Sequence, residues 1–270
     1  MFPDKGGPAA EMTFFEHIDA LRPHLVRGVV AIGMLLVAAF CCKKLLVDTI
    51  LFGPLAPGFP TNRLLAWLAE RSGIEGLAAG TEHLRLVSTT MAGQFNLHLK
   101  VSLVAALCAG FPYLLWELWR FVRPALTPGE LAGCRRFVGW VSAGFFGGLA
   151  FGYFVIAPLT IGFLSQYSVS ETVRNMIDVN SYLSTVINVS AACAVLFQLP
   201  LLVHYLTRMG LLGPEFLRRY RRHAIVVLAI LAAVITPPDA FSMVLVLLPL
   251  FGLYQLSIRI AERAAKKLTQ

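Results

Sequence analysis

Charged residues are scarce in this chain: Asp, Glu, Lys and Arg make up 14% of its 270 residues, against 57% hydrophobic. A soluble domain carries about 25% charged and 45–50% apolar residues. That imbalance excludes a water-soluble globular class and predicts an all-α polytopic membrane protein. Catalytic signatures are also missing. There is no HExxH, no GxSxG with a partner histidine in a span, and no pair of intramembrane aspartates, so intramembrane catalysis is not expected. His17, His24, His98, His204 and His223 fall near the ends of apolar runs and His83 in a loop, where solvated or headgroup-level positions are expected. The five cysteines (Cys41, Cys42, Cys108, Cys134, Cys193) have no CxxC or metal-ligand spacing. They are expected to pack as small hydrophobes, with no metal and no cofactor implied.

Two further absences bear on transport. No ionisable group is expected deep in the apolar spans, which disfavours proton transfer through a buried carboxylate. No internal repeat is visible, which disfavours an inverted-repeat transporter. The N-terminal segment MFPDKGGPAAEMTFFEHIDALRPH has no apolar core of the signal-peptide kind, so no cleavage is expected.

What is present is a succession of apolar runs. Residues 1–12 are Pro/Gly-rich and expected to be disordered, 13–260 form the membrane domain, and 261–270 a basic tail. Spans are expected at about 25–46, 99–119, 137–164, 182–206, 224–236 and 241–258. Thr13 with Glu16 reads as a capping box. Phe14, Phe15, Ile18, Leu21 and Leu25 form the apolar face of an amphipathic helix leading into the first span. Residues 61–72, TNRLLAWLAERS, read as a short helix on the opposite side, serving either as a cap over the bundle or as a partner site. The third span is rich in glycine (Gly144, Gly147, Gly148, Gly152), which lets neighbouring backbones approach closely. Thr236-Pro237-Pro238-Asp239 ends one helix and turns into the next, since paired prolines cannot continue a helix. The run from Ala224 to Ile235 would be only about 18 Å long, short for a hydrocarbon core of about 30 Å. Short fifth and sixth helices are therefore expected, with lipid thinned beside them.

The net charge of +8 is distributed, not clustered as for nucleic acid. Sixteen of the 23 lysines and arginines fall on one side: Lys5, Arg22 and Arg27; Arg120, Arg123, Arg135 and Arg136; Arg208, Arg218, Arg219, Arg221 and Arg222; and Arg259, Arg263, Lys266 and Lys267. By the positive-inside rule both termini are cytoplasmic, giving six spans. Within that basic face stand a few carboxylates, Glu130 in an arginine-bearing loop and Asp19 with Glu16 on the first helix. Two readings stay open, intramolecular ion pairs or receipt of arginines from another chain, which a carboxylate recognises bidentately.

Several patterns now occur together. FFEHIDALRPHL resembles the EHLEELR-type start of the TatC family, the multispanning core of the twin-arginine protein translocase. FVRPALTPGE resembles its first inner loop, FGYFVIAPLTIGFL its third span, SYLSTVINVSAACAVLFQLP its fourth, and ITPPDAF its last outer turn. The resemblance runs from about Phe14 to Ile260. It implies a non-enzymatic receptor and scaffold in the bacterial cytoplasmic (inner) membrane that binds the twin-arginine signal peptides of folded cargo. It also implies partners, TatA and TatB-like single-span proteins and further copies of the chain itself, with transport driven by the protonmotive force. By the same resemblance Glu130 binds the signal peptide with Phe121, Pro124 and Leu126 around it and Arg22 on the first helix. The acidic residue often found at position 20 is Ala20 here; either Asp19, about 100° round the helix, substitutes for it or Glu130 acts more alone. Gln198, where glutamate is frequent, with Pro200 and Met243, matches positions that dock partner helices. A small-solute or ion transporter of similar topology, or a purely structural scaffold, are the alternatives.

Overall fold

The computed structural model describes residues 14–72, 84–125, 137–168, 170, 175–208, 212–235 and 240–266. Helix α1 (Phe14–Cys41) opens it as one continuous rod, with Pro23 inside. The amphipathic segment expected before the first span is thus the first turns of the spanning helix itself. A π-helical turn (Leu45–Leu51), a 3₁₀ turn (Gly53–Leu55) and α2 (Pro60–Ser72) lead to a short strand β1 (Leu86–Val87). Helix α3 (Gly93–Val122) returns along α1 and ends in a 3₁₀ turn (Arg123–Ala125). Then come α4 (Phe137–Phe151), a π-helical segment (Gly152–Ile156), α5 (Ala157–Gln166) and strand β2 (Ile177–Asp178). Helices α6 (Val179–Leu196), α7 (Leu199–Arg208), α8 (Pro214–Arg219), α9 (Arg221–Ile235) and α10 (Ala240–Lys266) complete the described chain.

Among the described residues four helical columns are long and apolar enough to cross a membrane: Asp19–Cys41, Gly93–Val122, Phe137–Gln166 and Val179–Thr207. Successive columns run antiparallel. Stacking of Trp119 on Phe137 and of Phe111 on Phe145 joins α3 to α4, and Phe137 meets Tyr205 of α7. The fifth helix is short as expected, 15 residues. The sixth is not: α10 has 27 residues and carries Arg259 and Arg263 on helix, so part of the segment read as a tail continues the rod. Tertiary contacts explain the extension. The Tyr254 hydroxyl donates to the Leu217 carbonyl at 2.7 Å, and Arg218 pairs with Glu262, docking α8 on the last turns of α10. The expected turn Thr236-Pro237-Pro238-Asp239 and the tail at 1–12 lie outside the described residues.

Of the six glycines in the third column, Gly144, Gly148 and Gly152 do what their size suggests. They recur every four residues, one helical face. A Cβ on Gly148 would overlap the Cys193 carbonyl and come within 2.7 Å of the Ala194 Cα; one on Gly152 would lie 2.7 Å from the Ser190 Cα. Gly147 faces open space. The α4–α6 contact is therefore backbone on backbone, the packing that small residues permit where lipid offers no hydrophobic drive.

The end of the bundle away from the arginines is tied by polar groups. The Tyr182 hydroxyl donates to the Leu51 carbonyl at 2.7 Å and the Tyr153 hydroxyl to that of Ile50, so two columns hold the π-helical turn. The Asn62 amide donates to the Pro54 and Ala56 carbonyls at 2.9 and 3.0 Å. Phe59 stacks on Phe154 at 5.4 Å, seating α2 as a cap over the third column. β1 and β2 pair in parallel, Leu86 opposite Ile177 and Val87 opposite Asp178. Asp178 then accepts from the Thr89 hydroxyl at 2.7 Å and the Thr89 N–H at 3.2 Å, and caps α6 through the N–H groups of Asn180 and Ser181. The Thr89 hydroxyl first, then these N–H donors, lower its carboxyl to about 2.

Two outcomes are expected. Gly148→Ala should cost about 1–3 kcal/mol by overpacking against backbone, whereas Gly147→Ala should be tolerated; denaturant unfolding in detergent compares them. Asp178 is held as the anion, so its contribution is complete above the ordinary aspartate value of 3.8 and is lost as pH falls toward 2. The midpoint of thermal unfolding should drop across that window, and Asp178→Asn should flatten the drop.

Candidate functional site

At the arginine-rich end the first turns of α1 meet the last turns of α3. Tyr113, Glu117 and Arg120 are spaced four and three apart on α3 and so share a face. The His24 Nδ1 lies 2.5 Å from Glu117 Oε2. The Tyr113 hydroxyl donates to Oε1 at 3.1 Å, and Arg120 Nη1 stands 3.7 Å from the same oxygen. Glu117 is 3% exposed, whereas the Arg120 guanidinium lies over the Trp116 ring at 4.9 Å. A carboxylate out of water is tolerated only when its lone pairs are occupied, and here both oxygens are. Phe121, one turn beyond Glu117, presents its ring edge-on to His24 at 6.2 Å.

Glu117 is buried close to the arginine-rich end of its spanning helix and not at mid-membrane. This overturns one expectation. His24 is a half-buried partner of that carboxylate and not a solvated interface residue. The sequence signal was available: Glu117 is the lone acidic residue in the 30 residues of α3, flanked by Tyr113 and Arg120 at helical spacing. At the far end of the same seam His98 stacks on Phe40 with centroids 4.0 Å apart, again packed and not solvated. Among the described residues no three His, Cys, Asp or Glu side chains gather as metal ligands.

The residues expected to bind a signal peptide are placed as follows. Asp19 and Arg22 are exposed on α1, Phe121 is half-buried at the end of α3, and Pro124 is exposed in the 3₁₀ turn that follows. Leu126 and Glu130 lie outside the described residues. Of the expected docking positions, Gln198 sits at the break between α6 and α7, facing α4 across Gly144; a Cβ on that glycine would lie 3.4 Å from the amide nitrogen. That amide donates to the Ala194 carbonyl at 3.2 Å, and its buried oxygen has no hydrogen-bond partner. Pro200 is buried at the start of α7, and Met243 packs against the apolar cluster of Val246 and Leu250.

Comparison with known proteins bears on this arrangement. Residues 16–249 match the family model of the Sec-independent protein translocase protein TatC. The TatC proteins of Blattabacterium sp. subsp. Periplaneta americana and Desulforapulum autotrophicum are 34% and 35% identical. Those alignments cover 95% and 94% of this chain, and 97% and 86% of the relatives. Two crystal structures of the twin-arginine translocase receptor TatC superpose with TM-scores of 0.67 and, for the form in DDM, 0.71. They are 25% and 26% identical and cover 92% and 91% of this chain and 99% of each neighbour. A small-solute transporter or a bare scaffold is no longer the reading. The chain belongs to the TatC family of Sec-independent protein translocases, multi-pass membrane proteins that are not enzymes.

Proposed function

We propose that this chain is the signal-peptide receptor and scaffold of a twin-arginine translocase in the bacterial inner membrane. It spans the bilayer six times with both termini cytoplasmic, the four long columns being joined by α9 and α10. Twin-arginine signal peptides dock at the arginine-rich end, where Glu130 receives guanidinium groups and Asp19, Arg22, Phe121, Pro124 and Leu126 frame the docked segment. Gln198, Pro200 and Met243 take up TatA- or TatB-type single-span helices, and the assembly exports folded cargo on the protonmotive force.

The observation that carries this reading is the meeting of α1 and α3. The helix bearing Asp19 and Arg22 and the helix bearing Phe121 converge through His24, which touches Glu117 and Phe121 together. A carboxylate suits arginine because the guanidinium offers two parallel N–H groups where lysine offers a point charge. For Gln198, a partly exposed position at the break between α6 and α7 supports a role in meeting a further helix.

Glu130→Gln should abolish photo-crosslinking to a peptide carrying adjacent arginines while the protein still accumulates in the membrane; unchanged crosslinking removes Glu130 from the site. Asp19→Asn should weaken the same crosslink severalfold if Asp19 stands in for the acid missing at Ala20. Helix α9, about 22 Å long at 1.5 Å per residue, leaves the bilayer locally thin on its flank. Inserting one turn of leucines into α9 should impair export more than folding, and normal export would remove that flank from the mechanism.

A further inference from the structure

Only 6% of the apolar window of α1 is buried, so this helix is attached to the bundle along a single narrow seam with α3. Leu25, Val26, Val29, Val30, Met34 and Val37 all point away from the protein. Along the seam the contacts are small against large. A Cβ on Gly28 would lie 2.9 Å from Leu114 Cδ2, and one on Gly110 would lie 3.2 Å from Leu35 Cδ1 and overlap Ile32. Apolar contacts of this kind hold two helices together but discriminate weakly between neighbouring registers, because lipid tails are as apolar as the side chains they replace. The one buried carboxylate among the described residues of the seam does discriminate. Turning α1 by one residue swings His24 by about 100° and leaves Glu117 without its partner.

We propose that the His24–Glu117 contact is a positioning device for the receptor site, fixing the rotation of α1 so that Asp19 and Arg22 face outward, away from α3, while His24 holds the start of α1 against Phe121. The helical geometry supports it. Asp19 and Arg22 lie about 140° and 160° from His24 around the helix axis and only about 60° from each other. The face that grips α3 is therefore opposite the face that meets the solvent, and both residues are exposed. Phe121 lies four residues beyond Glu117 on the same face of α3, within ring contact of His24. One contact thus sets the relation between the two elements that border the docking surface. The inference rests on the receptor reading above, and gives Glu117 and His24 a part in it without contact to the peptide.

The test uses the full-length protein in detergent, a peptide with two adjacent arginines and its two-lysine counterpart. A photo-reactive side chain is placed next to the arginines of the peptide, and its crosslinks to positions 19, 20, 21 and 22 of the intact chain are mapped by mass spectrometry. In the parent chain, crosslinks should concentrate at 19 and 22. Glu117→Gln and His24→Ala should lower affinity for the arginine peptide about tenfold and spread the crosslinks over all four positions. His24→Arg, which keeps an N–H donor against the carboxylate, should preserve the pattern. The exchanged pair His24→Glu with Glu117→His should restore it. If Glu117→Gln does not accumulate, Tyr113→Phe removes only the 3.1 Å hydrogen bond and should shift the pattern in the same direction.

A parent-like pattern and affinity in Glu117→Gln would overturn the inference alone. So would an even loss of all four crosslinks that neither His24→Arg nor the exchange rescues, which marks a role in folding only. Failure of the parent chain to prefer the arginine peptide would overturn the receptor reading and this inference with it.

Discussion

The contact between the His24 imidazole and the Glu117 carboxylate is the constraint from which the arginine-rich end takes its shape. In water, burying the leucines and valines of α1 would hold that helix in place. In lipid the same side chains gain almost nothing by leaving the hydrocarbon for a protein neighbour, and specificity passes to polar groups and to shape. Glu117 cannot stand alone out of water, so it recruits Tyr113 and Arg120 from its own helix and His24 from α1. That requirement brings the start of the chain to the end of the second column, where Phe121 and the following turn begin.

Elsewhere the bundle uses the other resource available in a membrane, close backbone approach. Gly148 and Gly152 let the third column lie directly against the backbone of α6, and Gly152 opens the π-helical segment Gly152–Ile156. Irregular backbone in such a protein must find its hydrogen bonds within the protein. The turn after α1 does so through the hydroxyls of Tyr153 and Tyr182, and α2 through Asn62. The end of the bundle away from the arginines is thus cross-tied, column to loop and strand to strand. At the arginine-rich end a single seam carries α1.

The last two helices show the same logic at smaller scale. α9 is too short to match a bilayer, and it begins with Arg221 and Arg222. Its partner α10 is long because Tyr254 and Glu262 anchor its final turns to α8. The guanidinium of Arg221 lies 5.1 Å from the Phe251 ring, joining the start of α9 to α10. Length mismatch is therefore a property of α9 and not of the pair.

Much of the architecture was legible in the residues. Low charge, apolar runs and arginines between them set the class, the order of the columns and the arginine-rich end, because a bilayer selects on length and composition, which are local properties. The family resemblance was legible for the same reason, being carried by short contiguous motifs. The role of Gly148 and Gly152 followed from spacing, but that Gly147 faces outward did not, since only the neighbouring helix defines a face. The extension of α10 was hidden because it depends on Leu217 and Arg218, some forty residues away in the chain. Above all, Glu117 stands unmarked near the end of an apolar run, and His24 reads as an interface histidine. Their pairing spans 93 positions. A one-dimensional pattern can say that a carboxylate in a membrane helix needs a partner; only the packing of α1 on α3 decided that the partner is His24.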